Sequence, residues 1–353
     1  MKTTPERPEG RGKRLLWSVL FLVIAALSIW AVTSQARGFS PKHFMEYLNG
    51  VNPWWLGAAF AAMLAYIVFD ALMVGCLLKG FGYPRSFPKC LSYAAADLYF
   101  SAITPSATGG QPMEAYFMVK DHVPAVISTV VMLTYLLLYT LSIVIIGLGC
   151  LILVPSSFLA FGTVSRIFII VGAVIQVALA LLYAMLLWNK SLLRRTLNWG
   201  LRLLAKLHLI RNLEKREAKL QETMDQYAHA TEMLKGRRRL LFKTLLLNLA
   251  HRSSQILVTV FCFLSSGGEL RLAPTMFAMQ SNVVIGAYCI PIPGSMGVTD
   301  LLMMDGFTSL MNERTSANLE LLSRATSFYI CILLCGLIVL VKYAMLRLRK
   351  DHL

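Results

Sequence analysis

The residues of this sequence that could do chemistry are acids and arginines set in apolar surroundings. Asp70, Asp97, Glu114, Asp300 and Asp305 carry one sign and Arg252 and Arg324 the other, all within stretches otherwise nearly free of charge. On insertion scales each costs about 3 kcal/mol at the centre of a bilayer, so it must face protein or water. As a group they imply a polar interior with both signs of charge, suited to a zwitterionic or cationic headgroup carrying a phosphate. For any one of them, structural pairing explains the residue equally well, for example Arg252 or Arg324 with Asp300. Two of the acids close segments rich in proline and glycine. The first runs from Thr104 through Pro105, Gly109, Gly110, Gln111 and Pro112 to Glu114; the second from Ile290 through Pro291, Pro293, Gly294 and Gly297 to Asp300.

A helix interrupted inside a bilayer needs its freed amides satisfied by protein or cavity water. Proline ends the preceding hydrogen-bond ladder, and glycine permits unusual backbone angles and close approach. Half-helix N-termini opening on a cavity offer free N–H groups and partial positive charge, which suits a phosphate or carboxylate. Proline kinks without a ligand are also common in membrane helices, so one break alone decides nothing. Both breaks share Pro-x-x-x-Gly (Pro105/Gly109 and Pro293/Gly297) with an acid downstream. The candidate substrate-binding residues are therefore Pro105, Gly109, Gly110, Gln111, Glu114, Arg252, Pro291, Pro293, Gly294, Gly297, Asp300 and Arg324. No catalytic residue, metal ligand or cofactor is expected.

The elements that must position them are membrane helices. The 353 residues are 57% hydrophobic and 15% charged, with a mean hydropathy of +0.62. A span needs about 20 mostly apolar residues, and several such runs are present. A net charge of +16 in a soluble chain would suggest nucleic acid. Here the basic residues gather in a few loops, with no groove-reading motif beside them, so nucleic acid is rejected. The seven cysteines form no CxxC pair, and the six histidines show no metal-ligand spacing. No Walker A sequence supports ATP-driven transport, and no Gly-x-Ser-x-Gly supports hydrolysis.

Six spans are expected, at about Leu15–Thr33 (read as an uncleaved first span), Pro53–Leu78, Val123–Val154, Thr163–Trp188, Leu240–Ser265 and Asn318–Leu346. Between them lie two broken segments, Cys90–Val119 and Pro274–Leu310, and a basic amphipathic stretch at 189–239. Lysine and arginine number five before the first span, three in 79–89, one at Lys120, fourteen in 189–243 and four at the C-terminus, which is 27 of 34. By the positive-inside rule both termini are cytoplasmic. Each broken segment must then start and end on one side, the first in the cytoplasm and the second outside. The chain reads as an all-α, single membrane domain with two opposed re-entrant hairpins. The units 53–154 and 240–346 would form an inverted repeat, an arrangement seen in secondary transporters.

At Ile103–Glu114 and Pro291–Asp300 the sequence resembles the lysylphosphatidylglycerol synthase transmembrane region, the flippase-like or UPF0104 family. The two stretches look like its Pro…Gly-Gly-x-x-x-Glu and Pro-x-Pro-Gly-Gly-x-Gly-x-x-Glu signatures, with Ser295 in place of the second glycine and Asp300 in place of the final glutamate. The resemblance implies a bacterial cytoplasmic-membrane protein that moves lipid between leaflets, aminoacylated phosphatidylglycerol in the best-known members. With the chain ending at Leu353, any synthase would be a separate protein.

The function expected is that of a phospholipid translocase. The hairpin amides with Arg252 or Arg324 would engage phosphate, and Glu114 with Asp300 would face a cationic group. A membrane enzyme acting on a lipid-linked substrate, and a non-transporting partner of a lipid synthase, are the alternatives. A synthase and a second copy of the chain are the protein partners to consider.

Overall fold

A computed structural model describes residues 41–104, 108–189, 213–289 and 297–351, with positions 191, 194, 195 and 199 between them. Every regular element among the described residues is helical, and five helices are long and apolar enough to cross a membrane. The expected first span, Leu15–Thr33, lies outside the described residues, as do Pro105, Pro291, Pro293 and Gly294. Residues up to Asn49 form a unit of their own, in which α1 (Pro41–Gly50) is described; all that follows concerns the unit from Gly50 onward.

The five long helices fall where uncharged length predicts them. Helix α2 (Pro53–Gly80) starts at the Asn52 side chain, which accepts from the Trp54 amide at 3.0 Å, with Pro53 in the first turn, where its missing N–H costs nothing. Helices α5 (Ala125–Leu153) and α7 (Thr163–Trp188) follow, separated by the short α6 (Ser156–Leu159). Helix α8 (Leu213–Glu232) belongs to the basic stretch and buries Met224, Tyr227, Ala230 and Leu234, a helical stripe set against α5. The Tyr227 hydroxyl donates to the Leu186 carbonyl at 3.0 Å. Helix α9 (Arg238–Ser265) returns antiparallel to α2 in the most extensive helix contact of the described chain. The last span starts at α12 (Glu313–Arg324), passes through a π-helical turn at Ala325–Ile330 and continues as α13 (Cys331–Asp351). It begins five residues before the expected Asn318 because Asn312 caps it, accepting from the Thr315 amide at 2.8 Å.

Both broken segments are helical hairpins. The first pairs α3 (Phe87–Ile103) with α4 (Gly110–Lys120); the second pairs α10 (Ala273–Gly286), extended by a 3₁₀ turn at Ala287–Cys289, with α11 (Val298–Phe307). At about 1.5 Å per residue, α4 and α11 are roughly 15 Å long, half of a bilayer core. Neither can span.

The hairpins open at opposite ends of the bundle. At one end Asp121, just after α4, accepts from the Tyr93 hydroxyl at 2.6 Å and from Lys342 Nζ at 2.7 Å, and its carbonyl accepts from Arg85 at 2.9 Å. This cluster ties the mouth of the first hairpin to the loop after α2 and to the far part of α13. Burial alone would raise the Asp121 carboxyl, but the hydrogen bonds from Lys342 and Tyr93 and the Lys342 charge hold it below its ordinary value. At the other end the Asn52 amide donates to the Ser265 carbonyl at 2.7 Å, so α2 begins where α9 stops and the second hairpin starts. There Asp305 in α11 accepts from the Gly162 amide at 2.8 Å, joining the hairpin's exit to the start of α7. Opposed hairpins are therefore a property of the packing as well as of the loop charges.

Small residues let the hairpins sit this deep. Ala71, Cys90 and Ala94 form the contact of α3 with α2. Gly172 of α7 lies against the Ile285 carbonyl near the end of α10, where a side chain would strike backbone. The large apolar side chains left exposed, such as Ile167, Val174, Leu181, Leu333 and Leu337, mark faces of α7 and α13 turned to lipid.

Candidate functional site

The polar centre of the bundle is built from both hairpins and three spans. In α2, Asp70 is fully buried; in α3, Asp97 is 6% exposed; in α4, Glu114 is fully buried. These three carboxyl groups lie within interaction range of one another. They meet because the first hairpin closes tightly at its tip. Gly110 packs on the Asp97 carboxylate, its carbonyl and Ser101, a space no side chain could share. Asp97 Oδ1 accepts from Gln111 Nε2 at 3.0 Å and from the Ser101 hydroxyl at 3.2 Å. The Gly109 amide donates to Thr104 Oγ1 at 2.8 Å, satisfying one of the amides freed by the break.

Asp97 is thus held in place, whereas its two neighbours are not. Neither oxygen of Asp70 and neither oxygen of Glu114 makes a well-aligned hydrogen bond with a described residue. The Tyr135 hydroxyl of α5 is the donor within reach of Asp70 and Asp97. Buried polar groups are nearly always paired, because an unpaired one forfeits its hydration without return.

The cation facing these acids is Arg252, midway along α9 and 3% exposed. Its guanidinium centre stands 4.4 Å from the centroid of the Tyr139 ring, and Nη1 donates to Gln255 Oε1. Nε and Nη2 have no partner among the described residues. Tyr66, Tyr135 and Tyr288 complete an aromatic surround. Stacking on a π face suits a guanidinium, and it leaves the in-plane N–H groups free for an anion. Next to it His251 donates from Nδ1 to the Tyr66 carbonyl at 2.9 Å and stacks on that tyrosine's ring at 4.2 Å. The second hairpin reaches this centre through Tyr288, whose hydroxyl bonds that of Tyr139 just before the second break. The first hairpin through Gly110 and Gln111 and the second through Tyr288 thus reach one buried region containing three carboxyl groups and one guanidinium.

Asp300 and Arg324 are placed elsewhere. Arg324 Nε stands 3.0 Å from Asp300 Oδ1, and its guanidinium lies 4.9 Å from the centroid of the Phe328 ring. Asp300 Oδ2 accepts from the Gly297 amide at 3.0 Å, which caps α11. Gly297 sits at φ +78°, a conformation that a β-carbon would strain. Glu320 is a second acid at this pair, bonded to Asp300. Of the two arginines offered to Asp300 by the sequence, the structure selects Arg324.

Of the candidate residues, Gly109, Gly110, Gln111 and Glu114 gather at the first tip. Arg252 joins them through Asp70, while Gly297, Asp300 and Arg324 form a separate cluster at the second break. Asp70 and Asp97 stood out in the sequence only as acids at membrane depth. Tyr66, Tyr135, Tyr139 and Tyr288 come from two spans and the second hairpin, and apart from Tyr135 and Tyr139, one helical turn apart on α5, share no spacing that could have announced them.

The comparison with known families gives one match over most of the chain: residues 16–335 fit the family described as the lysylphosphatidylglycerol synthase TM region. Among curated proteins the chain is similar to a UPF0104 membrane protein of Pyrococcus horikoshii. The two are 24% identical over 306 residues, which cover 79% of this chain and 85% of the relative.

Proposed function

Since the chain belongs to the lysylphosphatidylglycerol synthase transmembrane-region family, we propose that it is a phospholipid translocase rather than an enzyme, moving a headgroup between leaflets through the buried centre that both hairpins reach. The observation that carries this reading is the juxtaposition of opposite, incompletely paired charges in the buried centre. Among the described residues Arg252 Nε and Nη2 have no acceptor, Glu114 has no donor, and Asp70 has only the Tyr135 hydroxyl within reach. A headgroup with a phosphate and an ammonium has the complementary set, as aminoacylated phosphatidylglycerol does. The phosphate would take Nε and Nη2 of Arg252, a geometry for which a guanidinium is preorganised. The ammonium would sit among Asp70, Asp97 and Glu114, and the acyl tails would stay in lipid.

In this reading the first hairpin supplies Gly109, Gly110 and the amide of Gln111 to the centre, and the second contributes Tyr288, while Asp300 and Arg324 hold the start of its second arm. Opening alternately at the two ends of the bundle would expose the centre to each side in turn.

The test is transbilayer movement in proteoliposomes, followed by dithionite quenching of fluorescent phosphatidylglycerol and of its lysyl derivative. Wild-type protein should accelerate the movement over protein-free vesicles. Arg252→Ala and Glu114→Gln should each lose at least about tenfold, the effect of ~1.4 kcal/mol in the barrier. Wild type indistinguishable from empty vesicles, or both variants as active as wild type, overturns the proposal.

A further inference from the structure

The three carboxyl groups of the centre outnumber the cations that face them, and that imbalance defines a ligand. From α2 the centre is faced by Tyr66 and Asp70, from α3 by Asp97 and by Cys90, which lies beside Glu114, from α4 by Glu114 and from α5 by Tyr135 and Tyr139. From α9 it is faced by His251 and Arg252, from the 3₁₀ turn after α10 by Tyr288, and from the last span by Cys331 and Cys335. Arg252 is the permanent cation in that set, because His251 is committed through Nδ1 to the Tyr66 carbonyl and lies beside the guanidinium. With all three acids ionised the site would carry a net charge of about −2 in a fully buried space, a state that low dielectric forbids. Asp97 has two hydrogen-bond donors and can remain ionised, whereas among the described residues Glu114 has no donor and Asp70 has only the Tyr135 hydroxyl, which Asp97 shares. These are the two that must be neutralised when no headgroup is present. A metal ion would need three or more convergent ligands, and no such group exists among the described residues.

We propose that Asp70 and Glu114 carry protons when the site is empty of headgroup, and that lipid movement is coupled to proton countermovement through these two acids. The inference rests on the translocase reading. A lysyl headgroup brings one phosphate and two ammonium groups, a net charge of about +1, so its entry displaces one of the two protons, which passes to water on the side from which the headgroup came. When the headgroup leaves on the other side, the vacated carboxylate takes a proton from the water there. Each cycle thus exchanges one net-cationic headgroup for one proton, and the charge of the centre is the same loaded and empty. Asp70 gains a role that its position in an otherwise apolar span did not reveal.

Two measurements separate this inference from the reading beneath it. The first is infrared difference spectroscopy of purified protein in lipid, which detects a protonated buried carboxyl without any transport. Wild type at neutral pH should show protonated-carboxyl bands, reduced in Asp70→Asn and in Glu114→Gln and retained in Asp97→Asn. The second is lipid movement in proteoliposomes with an imposed pH gradient and an internal pH dye. One proton exchanged per headgroup sustains up to about a tenfold transbilayer ratio per pH unit. Lysyl-lipid movement should be matched by a dye signal in wild type, with both lost in Asp70→Asn. Thermal melting of each variant shows whether it is folded, and Asp70→Glu, which keeps the titrating group, should restore part of the coupling. If lipid moves but no carboxyl band or gradient dependence is found, the proton inference falls and the translocase reading stands. If the bands are present but lipid does not move, the translocase reading falls and the coupling falls with it. Dependence on sodium at constant pH overturns the inference in favour of a sodium site.

Discussion

Replacing Gly110 with alanine puts a methyl group where the structure has no room for one. The new β-carbon would meet the Ser101 hydroxyl and the Asp97 carboxylate in direct overlap and would lie 2.6 Å from the Asp97 carbonyl oxygen. Ser101 can rotate away. The carbonyl cannot, since it belongs to the backbone of α3, so α4 must withdraw by about 1 Å to reach van der Waals separation. Overpacking of this kind costs about 1–3 kcal/mol. The withdrawal also stretches the 3.0 Å bond from Gln111 Nε2 to Asp97 Oδ1, a bond to a carboxylate worth about 1.5–3 kcal/mol. Alanine recovers about 1 kcal/mol of helix propensity. A net loss of about 2–4 kcal/mol follows, concentrated at the tip that positions Glu114.

The measurement is thermal unfolding of Gly110→Ala in lipid nanodiscs beside Gly57→Ala, combined with the transbilayer assay. Gly57 in α2 has nothing within 4 Å of its would-be β-carbon, so its alanine should leave lipid movement unchanged and raise the midpoint slightly, by the ~1 kcal/mol of helix propensity alone. Gly110→Ala should lower the midpoint by several degrees and slow lipid movement even where folded protein is recovered. An unchanged midpoint and unchanged movement in Gly110→Ala would refute the close packing of α4 on α3 and the geometry of the centre built on it.

Gly172→Ala drives a methyl against the Ile285 backbone, with the carbonyl carbon 2.9 Å away, and should destabilise the α7–α10 contact by about 1–3 kcal/mol in the same melting assay. Asp121 and Lys342 should show a coupling of roughly 1–3 kcal/mol in a double-mutant cycle of Asp121→Asn with Lys342→Met, read by thermal midpoint. Because the Asp121 carboxyl is held below its unfolded value, its stabilisation is complete above about pH 4 and fades as pH falls through the folded value. The wild-type midpoint should therefore drop more steeply than that of Lys342→Met below about pH 4. Arg324→Gln leaves Asp300 and Glu320 without their cation, and adding Asp300→Asn should recover part of the lost stability in the melting assay, since the second change removes one of the uncompensated charges.

The sequence was informative where the property is one-dimensional. Uncharged length located the five described spans to within a few residues, because hydropathy is summed along the chain. Basic loops predicted opposed hairpins, because an insertion bias acts on segments rather than on tertiary contacts. Proline and glycine marked both breaks, as at Gly297, whose positive φ supports the cap on α11. What stayed hidden was convergence. Asp70, Asp97 and Glu114 come from three helices, and they meet only because Gly110 and the Ala71–Cys90–Ala94 contact let those helices pack closely. No spacing between positions 70, 97 and 114 encodes that meeting. Glu320 is hidden for a different reason: hydropathy starts the last span at Asn318 and leaves Glu320 at its rim, whereas the Asn312 cap starts the helix at Glu313 and carries Glu320 inward to Asp300.

The two hairpins are alike in backbone and unlike in charge, and the difference explains why their acids need not share a role. Asp300 lies on α11, one short turn from α12, so Arg324 and the Gly297 amide can reach it through neighbouring chain. That pairing is local and costs little ordering of its own. Glu114 lies in the corresponding arm of the first hairpin, yet the following span, α5, presents Tyr135 and no cation to it, and the guanidinium of the centre, Arg252, faces Asp70 from a different span. The second hairpin's acid is therefore paired by its own Gly297 amide and by the span that follows, and the first leaves its acid to whatever enters the centre. An inverted repeat in which both acids were paired would make a rigid bundle with an inert core. Leaving both unpaired would place too much charge in the membrane for the fold to bear. With one paired and one open, the second hairpin can act as a fixed wall, while the first carries the uncompensated carboxyl groups on which the proposed coupling depends.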